Sequence, residues 1–168
     1  MTRRRTADDD RTPQGDLNEG GMHGLLGYRL AQANIVAARA FEREVGKPLG
    51  VRPVEFTILQ LVHANAQTSP ARLARALGIT GPGVKLWLDR LEARQLLKRT
   101  LRDADRRSHG LELTPNGVQL VKSALTRLLK ADAALTEVIS SAEFHMLIEL
   151  LAKVATAQRL ERKPEPKR

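Results

Sequence analysis

The sequence contains no cysteine and few aromatic residues. Without cysteine, the 168-residue chain can form neither a disulfide nor a thiolate nucleophile, and it can hold no Cys-ligated zinc. A response triggered by thiol oxidation is excluded for the same reason. Because aromatic residues make up only 3% of the chain, recognition of single-stranded nucleic acid by base stacking is also disfavoured.

Long apolar runs, catalytic motifs and metal-ligand spacing are missing as well. No apolar run approaches the ~20 residues that a helical bilayer span needs, and the basic segment 1–5 is not followed by the apolar region of a secretory signal. There is no P-loop, no GxSxG motif and no cluster of carboxylates, and the four histidines are too scattered to ligate a metal. We therefore expect a cytoplasmic protein that does not span a membrane, is not an enzyme, and uses no metal or cofactor.

Positive charge is in excess. Lysine and arginine number 28 against 19 acidic residues, which gives a net charge of +9. This excess favours a polyanionic partner, either nucleic acid or an anionic membrane surface. A solvated helix face could carry the same charge without binding anything, so the charge alone does not establish a polyanionic partner, and the local architecture must distinguish the two. The excess is densest between positions 85 and 107, at Lys85, Arg90, Arg94, Lys98, Arg99, Arg102, Arg106 and Arg107.

Apolar periodicity predicts four helices in the first part of the chain. Their ends are indicated by capping residues, by first-turn prolines and by glycine. The first helix is expected to start near Met22 and to stop around 46–48, and the second to start with Pro53 in its first turn. The third is expected to start at Ser69–Pro70 and to end at Gly78, and the fourth to start at Thr80 and to end at about Arg94.

The period then changes to that of a strand. Residues 97–101 and 110–114 alternate and predict two short strands, and the polar segment 102–109 between them predicts a hairpin loop. Two further helices follow, one capped by Thr114 and one opened by a capping box at Ser140–Glu143. The fold class expected from this order is mainly α with a small β wing.

Residues 69–94 fit a helix-turn-helix. Ala74 is small enough for the two helices to cross closely, and Gly78 supplies the positive φ that a sharp turn needs. The second helix would point its N-terminal end into the major groove of DNA, whereas Trp87, at a helical offset from Val84, is predicted to lie in the core. The residues predicted to be exposed at that end are Thr80, Gly81, Pro82, Lys85 and Leu86.

A strand, an arginine-rich loop and a second strand directly after a helix-turn-helix make a winged helix, whose wing can place arginine in the minor groove. The strings RDADRRSH at 102–109 and LELTPNG at 111–117 resemble the MarR family of bacterial regulators. LARALGIT at 73–80 and LDRLEAR at 88–94 are similar to the helix-turn-helix of that family. The resemblance covers residues 22–158 in element order and is densest between 70 and 117.

The resemblance implies a homodimer that binds a near-palindromic operator, usually as a repressor, and leaves it when a small ligand binds. Long apolar faces on the first and last helices agree with a dimer, because a partner chain can bury them away from water. Two-fold symmetry would set the two recognition helices about one DNA turn apart, ~34 Å. The implied parts are a disordered tail at 1–21, a dimerisation helix at 22–52, a winged helix-turn-helix domain at 53–115, dimerisation helices at 116–158 and a flexible basic tail at 159–168.

The family also implies roles for individual residues in DNA binding. Lys85 and Thr80 would donate to a base edge or a phosphate. Arg106 would reach into the minor groove while Asp105 orients Arg107. The implied set, in which Pro82 makes a shape contact and Ser69 and Arg102 meet phosphates, is Ser69, Thr80, Pro82, Lys85, Leu86, Arg102, Asp105, Arg106 and Arg107.

The sequence departs from the family pattern at three positions. Gly81 and Gly83 replace polar residues that family members often carry at the start of the recognition helix, so sequence reading would depend more on Lys85 and on DNA shape. Gln95 stands where the family commonly has a helix-ending glycine, and we expect a strained or differently built turn there.

A pocket for a small organic effector is a further implication of the family. Basic residues near the first helix favour an aromatic carboxylate or its coenzyme A thioester. Each candidate also has a plainer interpretation, with Phe56 in the core and Tyr28 and Arg29 at an interface or in solvent. The candidates are His23, Tyr28, Arg29, Phe56 and His63.

Two other functions stay open at this point. The first is a sequence-tolerant architectural DNA-binding protein without an effector, which predicts similar affinity for unrelated duplexes and a steep salt dependence. The second is a winged helix that binds proteins and not DNA, which the basic wing disfavours.

Overall fold

The computed structural model describes residues 11–13, 17–102 and 105–157, and it is mainly helical with one two-stranded sheet. The predicted tails fall largely outside the described residues. The element order predicted from the sequence is confirmed. The elements are α1 (Leu26–Phe41), α2 (Lys47–Leu49), α3 (Pro53–Ala64), α4 (Pro70–Leu77), α5 (Gly81–Ala93), β1 (Leu97–Arg102), β2 (Asp105–Leu113), α6 (Pro115–Ala133) and α7 (Ser141–Thr156), with 3-10 turns at Met22–Gly24 and Ala134–Glu137.

The first helical region continues further than its periodicity predicts. α1 passes directly into a π-helical turn, Glu42–Gly46, and this turn passes into α2. Pro48 is the second residue of α2, a first-turn position at which proline is common. Gly50 ends the region in the left-handed conformation, with φ +61°. The stop expected around 46–48 is therefore wrong by a few residues.

Hydroxyl groups cap the starts of α4, α5 and α6, as the sequence predicts, and Ser140 caps α7 in the same way. In each case the side-chain oxygen accepts a hydrogen bond from the N–H of the third residue after it, which satisfies one of the free donors at the helix end. The caps are Ser69 at 3.3 Å for α4, Thr80 at 3.3 Å for α5 and Thr114 at 3.1 Å for α6.

The main core lies beneath the helix-turn-helix and the hairpin. A second, smaller cluster joins the first helical region to α6 through Phe41, Val45, Val51 and Ala124. The main core holds α3, α4, α5, the hairpin and the start of α6 in one lobe. Its buried side chains are Ile58, Leu59, Val62, Leu73, Val84, Leu88, Leu91, Leu96, Leu97, Leu111 and Val121.

Gly117 joins this lobe to α6. It is buried in the first turn of the helix, and a Cβ at this position would overlap the carbonyl oxygen of Leu96. The same carbonyl accepts a hydrogen bond from the N–H of Thr114 at 3.1 Å. α6 therefore leaves the lobe at a close backbone contact that requires glycine.

The hairpin strands are longer than the sequence predicts. The antiparallel register begins at Leu97 opposite Leu113 and ends with Arg102 opposite Asp105. The segment 102–109, expected as a loop, thus contributes its first residue to β1 and its last five to β2. Polar side chains concealed these strand ends, because the ladder is made by backbone groups whatever the side chains are.

α1 and α7 expose apolar faces. No residue of α7, a helix that is described throughout, is buried. Its Phe144 and Leu151 are half-buried, and its other large apolar residues are exposed, from 44% at Val154 to 53% at Met146. Leu26 and Val36 of α1 are similarly exposed. None of the helices that the structure describes combines the length and the apolarity that a membrane crossing demands. Contiguous apolar surface of this kind marks a site of interaction.

Candidate nucleic-acid interface

α4 and α5 meet across a tight turn. Gly78 ends α4 with φ +65°, and the N–H of Ile79 donates to the carbonyl of Ala74 at 3.1 Å. Leu73 of α4 and Val84 of α5 are buried in the main core and hold the helices against each other. The helix-turn-helix predicted for residues 69–94 is confirmed.

The N-terminal half of α5 presents a surface to solvent. Arg72 and Arg75 of α4 are exposed too, and neither forms an ion pair with another described residue. Sequence reasoning missed these two arginines, although a spacing of three residues places them on one helix face. Of the residues predicted at the start of the recognition helix, those exposed here are Thr80, Gly81, Pro82, Lys85 and Leu86.

A network of carboxylates ties α5 to β1. Lys85 Nζ lies 3.2 Å from Asp89 Oδ2, and Arg99 Nη2 lies 2.5 Å from Asp89 Oδ1. Arg99 Nη1 lies 3.1 Å from Glu92 Oε2. Hydrogen bonds from Arg99 and then from Lys85 lower the pKa of Asp89, so this carboxyl group is charged at neutral pH. The four-residue spacing of Lys85 and Asp89 was the one available sequence signal, since Arg99 comes from another element.

Lys85 and Arg99 also line a depression of about 330 Å³, together with Pro70 and Leu88. Ser69, the N-cap of α4, directly precedes Pro70. The structure therefore brings a predicted phosphate contact at the start of α4 close to the predicted donor on α5.

Trp87 of the same helix has two cations near its ring. The guanidinium carbon of Arg90 is 5.0 Å from the centroid of its ring and that of Arg52 is 5.8 Å away. The half-buried ring packs against the main core, which confirms its predicted place there. The two cation–π contacts stabilise the ring further.

The far end of α5 is fastened to the start of α3. Arg94 Nη1 lies 3.4 Å from Glu55 Oε2, and this oxygen also accepts a hydrogen bond from the N–H of Arg52 at 2.9 Å. The next residue, Gln95, has φ +55°, a region that helix ends normally fill with glycine. The strained turn expected at Gln95 is confirmed.

For the predicted wing residues, the structure describes the backbone only. Arg102 and Asp105 pair near the end of the hairpin, and Arg106 and Arg107 follow in β2. The side chains of all four lie outside the described part of the structure, so their roles stay predictions.

Two of the predicted effector residues contact a buried carboxylate before α1, and a third, His23, contacts Arg29. The Glu19 side chain is 0% exposed, and it accepts hydrogen bonds from Arg29 Nη1 and Nη2 at 3.2 and 3.1 Å. Tyr28 Oη donates to it at 3.2 Å, and Arg29 Nε donates to the carbonyl of His23 at 2.8 Å. Partial burial and the bond to Glu19 raise the pKa of Tyr28. Arg29 therefore already has an anionic partner within the chain.

The other two effector candidates lie elsewhere. Phe56 packs on Phe41, with ring centroids 6.1 Å apart, in the second cluster, which agrees with its plainer interpretation as a core residue. His63 is exposed and lines a depression with Gln67 and Leu111. No hydrogen bond or ring contact joins either of them to Glu19 among the residues described.

A larger groove, of about 870 Å³, follows the first half of α6. It contains two cations, Lys122 and Arg127, and none of the five predicted effector residues. Sequence reasoning did not point to it, because its residues are ordinary for the solvent face of a helix. They are Leu113, Pro115, Val118, Gln119, Lys122, Ser123, Thr126 and Arg127.

Comparisons with known proteins agree with this geometry. A model of the MarR family matches residues 49–108. A protein named for transcriptional regulation of the hcr operon of Thauera aromatica is 31% identical over 139 residues, which are 83% of this chain and 84% of that protein. The transcriptional repressor CouR, solved bound to a 23-mer DNA duplex, is 32% identical with a TM-score of 0.76, over 84% of this chain and 99% of CouR. CouR bound to p-coumaroyl-CoA is 31% identical with a TM-score of 0.73, over 83% and 98%.

These similarities extend well beyond the helix-turn-helix. They confirm the resemblance and the fold class that the sequence predicts. They also confirm that the chain is not an enzyme, because its relatives are transcriptional regulators. At this identity and coverage, the chain belongs to the MarR family of winged helix-turn-helix transcriptional regulators.

Proposed function

We propose that this protein is a homodimeric repressor that binds a near-palindromic operator in the cytoplasm and leaves it when a small organic ligand binds. One observation carries the proposal: the start of α5 is exposed beside a basic hairpin. A related repressor, CouR, was solved bound to a DNA duplex. α5 would enter the major groove and the wing the adjacent minor groove.

The helix-turn-helix supplies donors to both bases and phosphates. The Lys85 side chain is 74% exposed and can extend into the groove. The hydroxyl oxygens of Thr80 and Ser69 accept hydrogen bonds as helix caps, and their hydrogens stay available to donate to phosphate. Ser69 also stands where the free N–H groups of α4 attract an anion.

The remaining contacts are proposed for apolar side chains and for the wing. Arg106 enters the minor groove, where a narrow segment strengthens the negative potential, and Asp105 orients Arg107 beside it. Arg102 meets a phosphate. Pro82 and Leu86, which is 51% exposed, provide shape and apolar contacts at the start of α5.

A second copy of the chain would cover the apolar faces of α1 and α7. A helix that exposes Leu147 and Ile148 and buries nothing gains most of its stability from a partner. On this basis residues 22–52 and 116–158 form the dimerisation lobe and residues 53–115 the DNA-binding domain. The segments 1–21 and 159–168 would flank this body as tails, except that Glu19 is held on α1 by Arg29 and Tyr28.

The ligand is proposed to be an aromatic acid or its coenzyme A thioester. Support comes from CouR, which was solved bound to p-coumaroyl-CoA. An anionic ligand at the predicted residues His23, Tyr28, Arg29, Phe56 and His63 would have to draw Arg29 away from Glu19. Alternatively, it would use Lys122 and Arg127 in the groove along α6. By favouring one spacing of the recognition helices, either site could make the dimer unfit for DNA.

Selection of the operator from random duplexes, followed by mobility-shift titration, tests DNA recognition. We expect Arg106→Ala and Arg107→Ala each to weaken operator binding by about 1–3 kcal/mol, or roughly 5- to 150-fold. Lys98→Ala is the matched control, because Lys98 is a hairpin cation that faces Glu112 at 3.2 Å. Equal affinity of both arginine variants and wild type would contradict the wing assignment.

The same titration separates the alternatives. Similar affinity for unrelated duplexes would favour the architectural function, and absence of duplex binding at low salt would favour a protein partner.

Displacement from the operator tests the ligand. We expect p-coumaroyl-CoA or a free aromatic acid to raise the melting temperature of the protein and to release DNA, while coenzyme A alone does neither. Arg29→Ala should abolish the response if the predicted residues bind the ligand, and Lys122→Ala should abolish it if the α6 groove does. A protein that responds to none of these compounds would contradict this ligand class.

A further inference from the structure

Asp89 puts a negative charge on the helix that is proposed to enter DNA. It stands one turn after Lys85, and its two oxygens hold Lys85 Nζ at 3.2 Å and Arg99 Nη2 at 2.5 Å. The Asp89 side chain is 42% exposed, so the core does not depend on it. Arg99 keeps a second carboxylate, Glu92, at 3.1 Å. The attachment of β1 to α5 therefore has a further ion pair besides the one to Asp89.

Exposed ion pairs of this kind contribute little to stability, because water solvates both charges and screens their attraction. Lys85 can leave Asp89 when a well-placed acceptor is present and stays paired when none is. Non-specific affinity for DNA grows with the number of phosphates that lysine and arginine neutralise. A lysine held by Asp89 neutralises no phosphate, and the carboxylate itself repels the backbone. Asp89 thus weakens binding most where a duplex offers phosphates alone.

We propose that Asp89 is a positioning residue for DNA specificity, which holds Lys85 back from indiscriminate phosphate contact and releases it to a base-edge acceptor in the operator. Guanine O6 and N7 in the major groove are acceptors of the required kind. Penalising the wrong partner is a general route to discrimination at charged interfaces. The inference rests on the proposed function, since it requires that α5 reads an operator.

The near-isosteric variant Asp89→Asn tests this role. Glu92→Gln is the matched control, because it removes the same charge from the same helix and contacts Arg99 but not Lys85. The dissociation constants of the selected operator and of a scrambled duplex of equal length are measured between about 50 and 200 mM salt. We expect Asp89→Asn to bind the scrambled duplex about tenfold more tightly at low salt, with a log–log slope steeper by about 0.9 per protomer. The affinity of Asp89→Asn for the operator should change much less than its affinity for the scrambled duplex. Glu92→Gln should change the affinity for each duplex less than Asp89→Asn does.

The Lys85→Met background shows whether the effect passes through Lys85. There, Asp89→Asn should raise the affinity for the scrambled duplex no more than Glu92→Gln does, because no lysine is left to release and only the repulsion of one carboxylate is removed. The proposal is overturned if Asp89→Asn changes both affinities by one factor, if Glu92→Gln reproduces its effect, or if the full effect persists without Lys85. Loss of binding to both duplexes with a lowered melting temperature would show a structural role and overturn it as well.

The wild-type protein separates this inference from the function on which it rests. If the wild type selects no sequence from random duplexes, the proposed function fails before any variant is measured, and the role of Asp89 fails with it. If the wild type selects an operator and Asp89→Asn leaves the discrimination unchanged, the role of Asp89 alone fails.

Discussion

Gln95 holds a backbone conformation that its own side chain opposes. Its φ of +55° lies in the left-handed region, which a Cβ makes unfavourable by roughly 1–2 kcal/mol. Hydrogen bonds on both sides hold the turn in place: the N–H of Leu96 donates to the carbonyl of Leu91 at 3.0 Å, and Thr114 Oγ1 donates to the carbonyl of Gln95 at 2.6 Å. The turn after α5 therefore stores strain.

Replacing Gln95 with glycine should release that strain. We expect Gln95→Gly to raise the free energy of unfolding by about 1 kcal/mol, since the greater freedom of glycine in the unfolded chain offsets part of the gain. Urea denaturation followed by circular dichroism measures the change. Gln95→Ala keeps the Cβ and serves as control, with no gain expected. A glycine variant no more stable than the alanine variant would contradict the prediction.

Residue-scale features were predictable where they depend on near neighbours in sequence. The caps at Ser69 and Thr80 and the turn at Gly78 involve groups at most four positions away, so residue type and spacing identify them. The bond from Arg29 to Glu19 joins residues ten positions apart, and the sequence contains many equally suitable carboxylates. Charge alone does not predict which carboxylate pairs with Arg29, because tertiary packing determines which side chains come into contact.

At the scale of elements, α7 depends on its capping box. Glu143 Oε2 accepts hydrogen bonds from the N–H and the hydroxyl of Ser140 at 2.8 and 2.7 Å, and Ser140 Oγ accepts one from the N–H of Glu143 at 3.3 Å. The hydroxyl bond and then the backbone bond lower the pKa of Glu143 from its ordinary value of 4.5. The charged carboxylate is therefore the form that stabilises the helix start.

The contribution of Glu143 should depend on pH. Because its pKa is lower in the folded protein, the stabilisation is fully present above pH 4.5 and is lost as the pH falls through the folded value. We expect Glu143→Gln to be less stable than wild type at pH 7 and the difference to vanish in acid. Thermal unfolding of both proteins from pH 7 down to about pH 3 checks this, where most carboxyl groups are protonated. A difference that stays constant over this range would contradict the assigned pKa direction.

Helices were easier to predict than the ends of the hairpin. Apolar periodicity and capping residues located α3 to α7, because both signals are read from side chains. The outer part of the hairpin carries charged residues on both strands, so no alternation marks it, and its strands exist through backbone pairing. The π-helical turn Glu42–Gly46 carried no side-chain signal that distinguishes it from the α-helix before it.

For the whole molecule, pairing of two chains through α7 is the feature most open to test. Leu150 is 49% exposed in the single chain. We expect Leu150→Asp to raise the dissociation constant of the dimer at least about a hundredfold, because an unpaired carboxylate buried in an interface costs about 3–5 kcal/mol. Sedimentation velocity measures the monomer fraction.

Ala142→Asp is the control for this experiment. It adds the same charge to the exposed first turn of α7, where a carboxylate favours the helix. A Leu150→Asp protein that sediments as the wild type does would place the dimer contact elsewhere.

The effector site was the least predictable part at this scale. The five candidates were chosen for residue type near the first two helices, yet Phe56 packs into the second cluster and Arg29 is engaged by Glu19. The family resemblance implies a pocket between the dimerisation lobe and the winged lobe. The sequence states the composition of these surfaces but not which of their residues face each other.

The junction at Gly117 sets the direction in which α6 leaves the DNA-binding lobe, and hence the distance between the two recognition helices of the proposed dimer. α6 continues from this point to Ala133, a rigid length of about 25 Å. A tilt of about 10° at the junction would therefore move the far end of the helix by about 4 Å. A side chain at Gly117 would therefore push α6 away from the carbonyl of Leu96 and change the distance between the two recognition helices of the proposed dimer.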